Sequence, residues 1–289
     1  MSMESVEKNI NRFILNDYMS ESQYHIVLNE SSLLEDWASS SILVNSRREI
    51  ELLLLCLGNE VNVVMDEQAR FEHQDIWEWL YERTYDEILN DLHWSYTEDG
   101  ELLELIDRIP ISKTINDNII QSDNKDLKIQ QAEPWIVHKV NKDNVLISEP
   151  YNCGNMIYFQ GLKESKEFQI DHSSDHLEGI IIFEVARQSG IASVHLAGVP
   201  SEGTIVILKS QTNYTKFVEI NKPYIIRTIP VIKERGGYSY CIYNILQDGH
   251  SCATGYFSGM VFRNKRSYER LFGRSKGTNT TSNGKVVNA

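Results

Sequence analysis

The chain has 289 residues, 41% of them hydrophobic and 24% charged, with a formal net charge of -13. This length allows a sizeable core in one large or two ordinary domains, and the composition excludes collagen-like, coiled-coil and wholly disordered chains. The longest apolar run, residues 52–58, is far shorter than the roughly 18 residues that a membrane helix needs, so no membrane span is expected.

The cellular location is indicated by the N-terminus and the cysteines. The first ten residues are polar and acidic and lack the apolar core of a signal peptide. The four cysteines, Cys56, Cys153, Cys241 and Cys252, lie far apart with no CxxC pair. This spacing gives no zinc signature and suits a reducing compartment, so a cytoplasmic protein is expected.

Charge is unevenly distributed along the chain. Residues 1–130 carry 27 of the 41 acidic side chains and 10 of the 28 basic ones. Such a shift indicates a boundary, which we place in the polar stretch 116–131. The predicted divisions are an acidic domain (1–130), a second domain (131–265) and a polar tail (266–289). A nucleic-acid partner is not expected, because the acidic half lacks the basic surface that displaces counterions.

The N-terminal half is predicted to be mainly helical. In chain order, the pattern indicates a short strand at 24–28, an apolar helix at 47–57, a second short strand at 61–65 and an amphipathic helix at 67–92. His73 lies between Glu72 and Asp75 near the start of the last helix, which favours a solvated helix turn over a ligand site. No catalytic motif is present here, so the role of this half is not assigned.

The C-terminal half changes to short β-rich runs around one helix. Strands are predicted at 135–140, 144–148, 156–159, 167–170, 204–210, 214–220, 224–234, 238–247 and 251–262, and a helix at 177–196. Gly236-Gly237 and Asp248-Gly249 supply tight turns between the last three strands. This order predicts an α+β hotdog fold, in which an antiparallel sheet wraps a long central helix.

Three polar residues interrupt the apolar sequence of that helix. Glu184, Arg187 and Gln188 are spaced by three and four residues and therefore share one face. A buried charge needs a partner or a wet cleft. Two interpretations remain open: a functional group facing a ligand, or an internal Glu184–Arg187 ion pair that only fixes packing.

A second polar cluster precedes the helix. Asp171, His172, Asp175 and His176 lie within six residues, and Gly179 follows at the first helical turn. Histidines and carboxylates at this spacing can hold a metal. We favour acid–base chemistry without a metal, because the segment is predicted to be a loop and the helix N-terminus can stabilise an oxyanion.

These motifs resemble one known family. VHKVNKDNVLIS (137–148), DHSSDHLEGIIIFEVARQSGI (171–191) and HLAGVP (195–200) are similar to the A-factor biosynthesis hotdog (AfsA-type) proteins, over residues 135–265. The resemblance implies γ-butyrolactone-type signal or secondary metabolite biosynthesis. It implies an acyltransferase that moves a β-ketoacyl group from an acyl carrier protein or CoA thioester to a hydroxyl acceptor such as dihydroxyacetone phosphate.

The resemblance covers one hotdog repeat, whereas family members typically carry two. The first half has neither a second VHK start nor a second E-x-x-R-Q helix, so we interpret it as an unrelated acidic domain. A lone hotdog domain usually pairs with a second copy to complete its clefts, so a homodimer is predicted. No cofactor is expected beyond the acyl thioester itself.

The predicted site combines the two polar clusters. The catalytic residues are His172 or Glu184 as general base and Gly179 at the oxyanion-binding helix N-terminus. The remaining five are predicted to bind substrate: Asp171, Asp175, His176, Arg187 and Gln188. His138 and His195 are interpreted as structural, and Cys153 and Cys252 as non-catalytic. Two alternatives remain: a hotdog dehydratase or thioesterase, and a non-catalytic acyl-binding or assembly protein.

Overall fold

The computed structural model describes residues 24–28, 40–58, 61–65, 67–81, 83, 87–88, 100–111, 115, 129–162, 168, 174–232 and 237–272. In this part of the chain, no helix is both long enough and apolar enough to cross a membrane.

The N-terminal unit is a small parallel sheet with helices. Its strands are β1 (Tyr24–Val27), β2 (Ser41–Leu43) and β3 (Val61–Val64), and its helices are α1 (Arg47–Leu57), α2 (Glu67–Glu72), α3 (Gln74–Tyr81) and α4 (Gly100–Arg108). The sheet order is β2-β1-β3, with both pairs parallel. Helix α1 begins where the Ser46 hydroxyl accepts a hydrogen bond from the Glu49 amide, a standard N-cap.

The prediction of a mainly helical unit is confirmed only in part, because its helices are accompanied by this parallel sheet. The two short predicted strands at 24–28 and 61–65 are present, and they pair in parallel, with every residue of β1 and β3 buried. Parallel pairing requires a crossover, and α1 supplies the connection between β2 and β3. The predicted helix 67–92 is interrupted by a turn at His73, and α3 ends at Tyr81. Most of residues 82–92 lie outside the described part.

The C-terminal unit has the predicted hotdog architecture, with helix α5 (Gly179–Leu196) against a six-stranded antiparallel sheet. The strands are β4 (Tyr151–Cys153), β5 (Met156–Gln160), β6 (Thr204–Tyr214), β7 (Ile225–Val231), β8 (Gly237–Gln247) and β9 (His250–Phe262), and α6 (Lys265–Phe272) follows. The sheet order is β4-β5-β7-β8-β9-β6, which places β6 at one edge. The Asp248-Gly249 turn joins β8 and β9 with positive φ at both residues.

Three predicted strands differ from the structure. Residues 134–137 form a 3-10 helix, because Pro134 at its first turn favours helical φ, and His138 ends it in the left-handed region. Residues 142–144 form a second 3-10 helix. In the predicted strand 144–148, only Ile147 and Ser148 pair with other residues, and each does so through an isolated β-bridge. Strand β6 ends at Tyr214, so 215–220 is not a regular strand. Of the predicted strand 167–170 only Phe168 is described, and Gly236 also lies outside the described residues.

The sheet is buried on both faces. Its inner face packs on α5 in a core that includes Ile226, Val185 and Tyr243. Its outer face shares a second core with the N-terminal unit, which joins Ile225 and Ile229 to Leu53. Alternation along strands explains this division, since successive side chains point to opposite faces. Six of the seven residues of β7, including Arg227 and Thr228, are therefore buried, because both faces of the strand are covered.

A buried arginine joins the two units. Arg227 is fully buried, and its guanidinium donates to the carbonyl oxygens of Ile106 and Ile109 at the C-terminal end of α4. It also donates to Asn244, whose amide reaches the Asp107 carboxylate at 2.7 Å. A cation at a helix C-terminus satisfies carbonyls that have no partner within the helix. The outer face is therefore bound to α4 by hydrogen bonds as well as by apolar contact.

Candidate functional site

The three polar residues of α5 form one hydrogen-bonded cluster. The Arg187 Nε and Nη2 atoms donate to the two Glu184 carboxylate oxygens at 2.6 and 2.7 Å. The Gln188 amide donates to Glu184 Oε1 at 3.0 Å. The internal Glu184–Arg187 ion pair expected as one interpretation is therefore present, in the bidentate geometry that strengthens such pairs.

The segment 134–146 covers this cluster. Lys139, from the VHK motif, lies 3.0 Å from Glu184 Oε1 through its Nζ. Gln188 is fully buried and binds the same segment, donating to the Asn144 carbonyl at 2.9 Å and accepting from the Leu146 amide at 2.8 Å. Its side chain therefore replaces the strand pairing that this segment lacks. Lys139 belongs to the VHK motif, but the sequence alone did not predict it as a residue of the site.

Hydrogen bonding keeps Glu184 ionised. Burial alone would raise the pKa of this carboxyl, but hydrogen bonds from Arg187, Gln188 and Lys139 and the charge of Arg187 lower its pKa from 4.5 to about 2. A carboxylate with so low a pKa accepts a proton poorly at neutral pH. The geometry suits Glu184 to holding two cations in place.

Two histidines meet beside this cluster. The Nε2 atoms of His138 and His195 are 2.8 Å apart, and their ring centroids are 5.0 Å apart at an interplanar angle of 64°. His195 Nδ1 lies 3.0 Å from the Val199 carbonyl, and Trp135 packs edge-on against the same ring. The three sequence segments that carry the VHK, E-x-x-R-Q and G-V-P motifs therefore converge here.

An apolar cleft opens next to Arg187. It is a narrow cavity of about 30 Å³ that lies between α5 and strands β6, β8 and β9. Arg187, Gly190, Ile191 and Val194 supply its helical wall. Since most of the other lining side chains are apolar, the cleft suits a narrow apolar group whose polar end lies at Arg187.

The start of α5 contains the rest of the predicted site. Asp175 is exposed and pairs with His176 Nδ1 at 2.8 Å. The His176 ring packs against Phe217 in a tilted arrangement, with ring centroids 4.7 Å apart and an interplanar angle of 41°. Gly179 is the first helical residue, and its carbonyl accepts from the Tyr214 hydroxyl at 3.2 Å. Asp171 and His172 lie outside the described residues.

The predicted residues thus fall in two places. Glu184, Arg187 and Gln188 are brought together with Lys139, whereas Asp175, His176 and Gly179 lie at the N-terminal end of α5. Within the described ranges, no group of three histidine, cysteine, aspartate or glutamate side chains is arranged to hold a metal ion. All four cysteines are buried as free thiols, and burial raises the pKa of Cys56 and Cys241 to about 12.

Comparison with known proteins gives one family match. Residues 120–263 match the family model described as the A-factor biosynthesis hotdog domain. No curated protein matches the chain.

Solved structures of low similarity were also found. A thioesterase from Haemophilus influenzae is 16% identical, with a TM-score of 0.34, covering 40% of this chain and 78% of that one. An uncharacterized protein from Pyrococcus horikoshii is 15% identical (TM-score 0.34), covering 47% and 95%. A hypothetical thioesterase from Streptococcus pneumoniae, solved with coenzyme A, is 18% identical (TM-score 0.32), covering 40% and 83%. At these scores they carry no functional argument.

Proposed function

Because residues 120–263 of this chain are an A-factor biosynthesis hotdog domain, we propose that the protein is an acyltransferase. It moves a β-ketoacyl group from an acyl carrier protein or CoA thioester to a hydroxyl of a small acceptor such as dihydroxyacetone phosphate. The product serves γ-butyrolactone-type signal or secondary metabolite biosynthesis in the cytoplasm. The acyl thioester is the only group the proposal requires besides the acceptor.

One observation carries the proposal: a fixed cation lines an apolar cleft. Arg187 is held by the buried Glu184 carboxylate at one wall of the cleft between α5 and the sheet. An apolar cleft binds the acyl chain, and a guanidinium binds a phosphate or a developing negative charge. Lys139 adds a second cation on the same carboxylate.

The proposed roles follow from these positions. Arg187 binds the acceptor phosphate, and Gln188 fixes the segment that carries Lys139. Glu184 anchors both cations, because its lowered pKa makes it a poor proton acceptor. Gly179, at the N-terminus of α5, is proposed to stabilise the oxyanion with backbone amides.

The other predicted residues keep the roles that the family resemblance implies. Asp175 and His176 are proposed to contact substrate at the start of α5. Asp171 and His172 keep their predicted roles in substrate binding and proton transfer, although they lie outside the described residues. The Asp175–His176 hydrogen bond supports this proposal, since it holds the His176 imidazole at the start of α5.

The proposed assembly is a homodimer. Strand β6 has 11 residues and only β9 as a neighbour, so one edge of the sheet is unpaired among the described strands. Leu208, in this strand, is 60% exposed. A long edge strand with exposed apolar side chains favours pairing with a second copy.

Product analysis tests the function. We propose to incubate the full chain with a β-ketoacyl thioester and either dihydroxyacetone phosphate or dihydroxyacetone, and to identify products by mass spectrometry. Arg187→Gln should weaken use of the phosphorylated acceptor much more than use of the unphosphorylated one, because only the former needs the guanidinium. An exposed arginine, Arg266, provides the matched control substitution Arg266→Gln.

Each outcome decides between reaction classes. An acylated acceptor formed by the wild type supports the transferase. Free acid or an enoyl product would instead place the protein with the thioesterases or dehydratases. Bound thioester without turnover would mean an acyl-binding protein. Equal losses for both acceptors in Arg187→Gln would refute phosphate recognition by Arg187.

A further inference from the structure

The hydrogen-bonded pair of His138 and His195 has no role in the proposed function so far. His195 lies on α5 and is buried, whereas His138 ends the 3-10 helix that covers α5 and is exposed. The two residues are 57 positions apart in sequence, and their Nε2 atoms approach to 2.8 Å. The VHK motif and the segment HLAGVP (195–200) therefore place two titratable imidazole rings next to each other, beside Arg187.

The neighbours of His195 determine which nitrogens carry protons. A carbonyl oxygen only accepts, so the contact from His195 Nδ1 to the Val199 carbonyl places a proton on Nδ1. The neutral ring then has a bare Nε2, which accepts from His138 Nε2. A neutral His138 with its proton on Nε2 has a bare Nδ1. Among the described residues, nothing donates a hydrogen bond to that Nδ1.

The backbone at His138 is itself unusual. Its φ is 56° and ψ is 41°, in the left-handed region that few residues other than glycine adopt. The amide of His138 donates to the Pro134 and Trp135 carbonyls, which holds the residue in this conformation. Strained backbone of this kind concentrates at functional sites, because the surrounding structure must stabilise it.

The electrostatic surroundings keep His138 neutral. Partial burial, then His195, then the positive charge of Arg187 lower the pKa of His138 below its ordinary 6.5. Its neighbour along the segment, Lys139, is a further cation, and Glu184 is already neutralised by Arg187 and Lys139. A neutral imidazole with a bare nitrogen can accept a proton near physiological pH.

We propose that His138 is the proton acceptor and donor of the acyl-transfer reaction, and that His195 is the positioning residue that fixes its tautomer. This inference rests on the proposed function. It replaces the proton-transfer role proposed above for His172 and the oxyanion role proposed for Gly179, because Gly179 begins α5 whereas His195 lies 16 residues further along it, about 24 Å at 1.5 Å per residue. The base is therefore a residue of the VHK motif rather than Glu184 or His172.

Both proton transfers of the proposed reaction are assigned to His138, with His195 as its hydrogen-bond partner. The acceptor hydroxyl loses its proton to His138 Nδ1 as its oxygen bonds to the acyl carbon. As the carbon–sulfur bond breaks, the leaving thiolate takes that proton and departs as a thiol. His195 Nε2 accepts the hydrogen bond from His138 Nε2 throughout, which keeps His138 in the tautomer with a bare Nδ1.

The test compares matched asparagine variants of the full chain. His138→Asn removes the proton acceptor, and asparagine tolerates left-handed backbone well. It should lower kcat/KM by about 10²- to 10⁴-fold, the usual contribution of a general base. His250→Asn is the control, because His250 is exposed at the start of β9. His172→Asn tests the rival position.

The pH profile separates catalysis from packing. Wild-type kcat/KM should fall at acid pH with a midpoint below 6.5, since protonated His138 cannot accept the hydroxyl proton. In His195→Asn this midpoint should move up towards 6.5, because the neighbouring imidazole no longer opposes protonation of His138. A merely structural role of His195 would lower activity without moving the midpoint.

Imidazole ¹⁵N NMR gives a readout that does not depend on activity. With His138→Asn used for assignment, the wild-type spectrum at neutral pH should show His138 protonated on Nε2 and titrating below 6.5. The opposite tautomer would overturn the proposal. So would full activity of His138→Asn, with or without a loss in His172→Asn. If the wild type shows no acyl transfer while NMR finds the expected tautomer, the proposed function fails instead.

Discussion

At the scale of single residues, Glu184 shows how a buried charge is retained. Its side chain is 9% exposed and contacts Arg187, Lys139 and Gln188. Removing one member of such a group leaves the charges of the other members buried and unpaired. This costs more free energy of folding than the intact group contributes. The same carboxylate holds Arg187 at the wall of the cleft, so under the proposed function the ion pair has a functional role as well as a structural one.

The pH dependence of the free energy of unfolding should reveal the contribution of this hydrogen-bonded group. The pKa of Glu184 lies near 2 in the folded chain against 4.5 ordinarily. Its stabilisation is therefore complete above pH 4.5 and is lost as the pH falls towards 2. Glu184→Gln should be less stable than the wild type at neutral pH by up to about 3 kcal/mol, a value that solvent screening of this partly exposed group reduces, and its stability should fall less between pH 4.5 and 2.

Chemical denaturation at several pH values measures this difference. The exposed Glu202 supplies the control Glu202→Gln, which should follow the wild type at every pH. Identical acid curves for Glu184→Gln and the wild type would show that the carboxylate adds no stability.

At the scale of elements, the β4–β5 turn fastens the hotdog sheet to the N-terminal unit. The Asn155 amide N–H donates to the Cys56 carbonyl at 3.2 Å, and its side chain donates to the Leu55 carbonyl at 2.6 Å. Both acceptors belong to the last turn of α1, whose carbonyls have no partner within the helix. Gly154, beside Asn155, has φ of 58°.

Two glycine substitutions separate backbone strain from this contact. At Gly154 an added Cβ would lie 1.9 Å from the Leu57 carbonyl oxygen, whereas at Gly249, with φ of 75°, nothing lies within 4 Å. Gly249→Ala should cost about 1–2 kcal/mol from left-handed backbone alone. Gly154→Ala should cost about 3 kcal/mol or more, because a steric clash is added. Equal losses in urea denaturation would mean that the turn is not docked on α1.

At the scale of the whole molecule, the two units share a core. The outer face of the sheet buries Tyr158, Ile229 and Ile242 against the N-terminal unit, and Arg227 is fully buried at the same junction. Without that unit, this apolar face and an unpaired arginine would meet water. The boundary near residue 130 remains a prediction, but the interface makes independent folding of the second unit unfavourable.

Truncation tests this dependence. Residues 129–272 expressed alone should aggregate or bind a hydrophobic dye strongly, whereas residues 1–272 should behave like the full chain, since only part of the predicted polar tail is removed. Size-exclusion chromatography and dye fluorescence measure both. A monodisperse, cooperatively folded 129–272 fragment would contradict the expectation.

The proposed dimer makes a second prediction at this scale. Leu208 lies at the register shift of edge strand β6 and is largely exposed. Leu208→Lys should shift the chain from dimer to monomer, because charged side chains on an edge oppose strand pairing. Light scattering measures the mass, and Lys209→Leu at the adjacent position is the reverse control. A wild-type monomer would refute the dimer.

The sequence by itself determined several local elements and the match of residues 120–263 to the A-factor biosynthesis hotdog domain. Periodicity placed α1 and α5 within two residues of their ends, and turn chemistry placed the β8–β9 hairpin. The motif spacing placed Glu184, Arg187 and Gln188 together, because residues three and four apart on a helix are neighbours whatever surrounds them. These features depend on short-range geometry.

Only the tertiary structure decided which distant residues complete the site. The pattern of 135–140 indicated a strand, but Pro134 and burial against α5 gave a 3-10 helix that brings Lys139 to Glu184 and His138 to His195. Likewise, no periodicity shows that β1 and β3 pair in parallel or that Arg227 reaches α4. Such contacts depend on the packing of elements far apart in the chain. A short stretch of sequence does not specify which distant elements it will pack against.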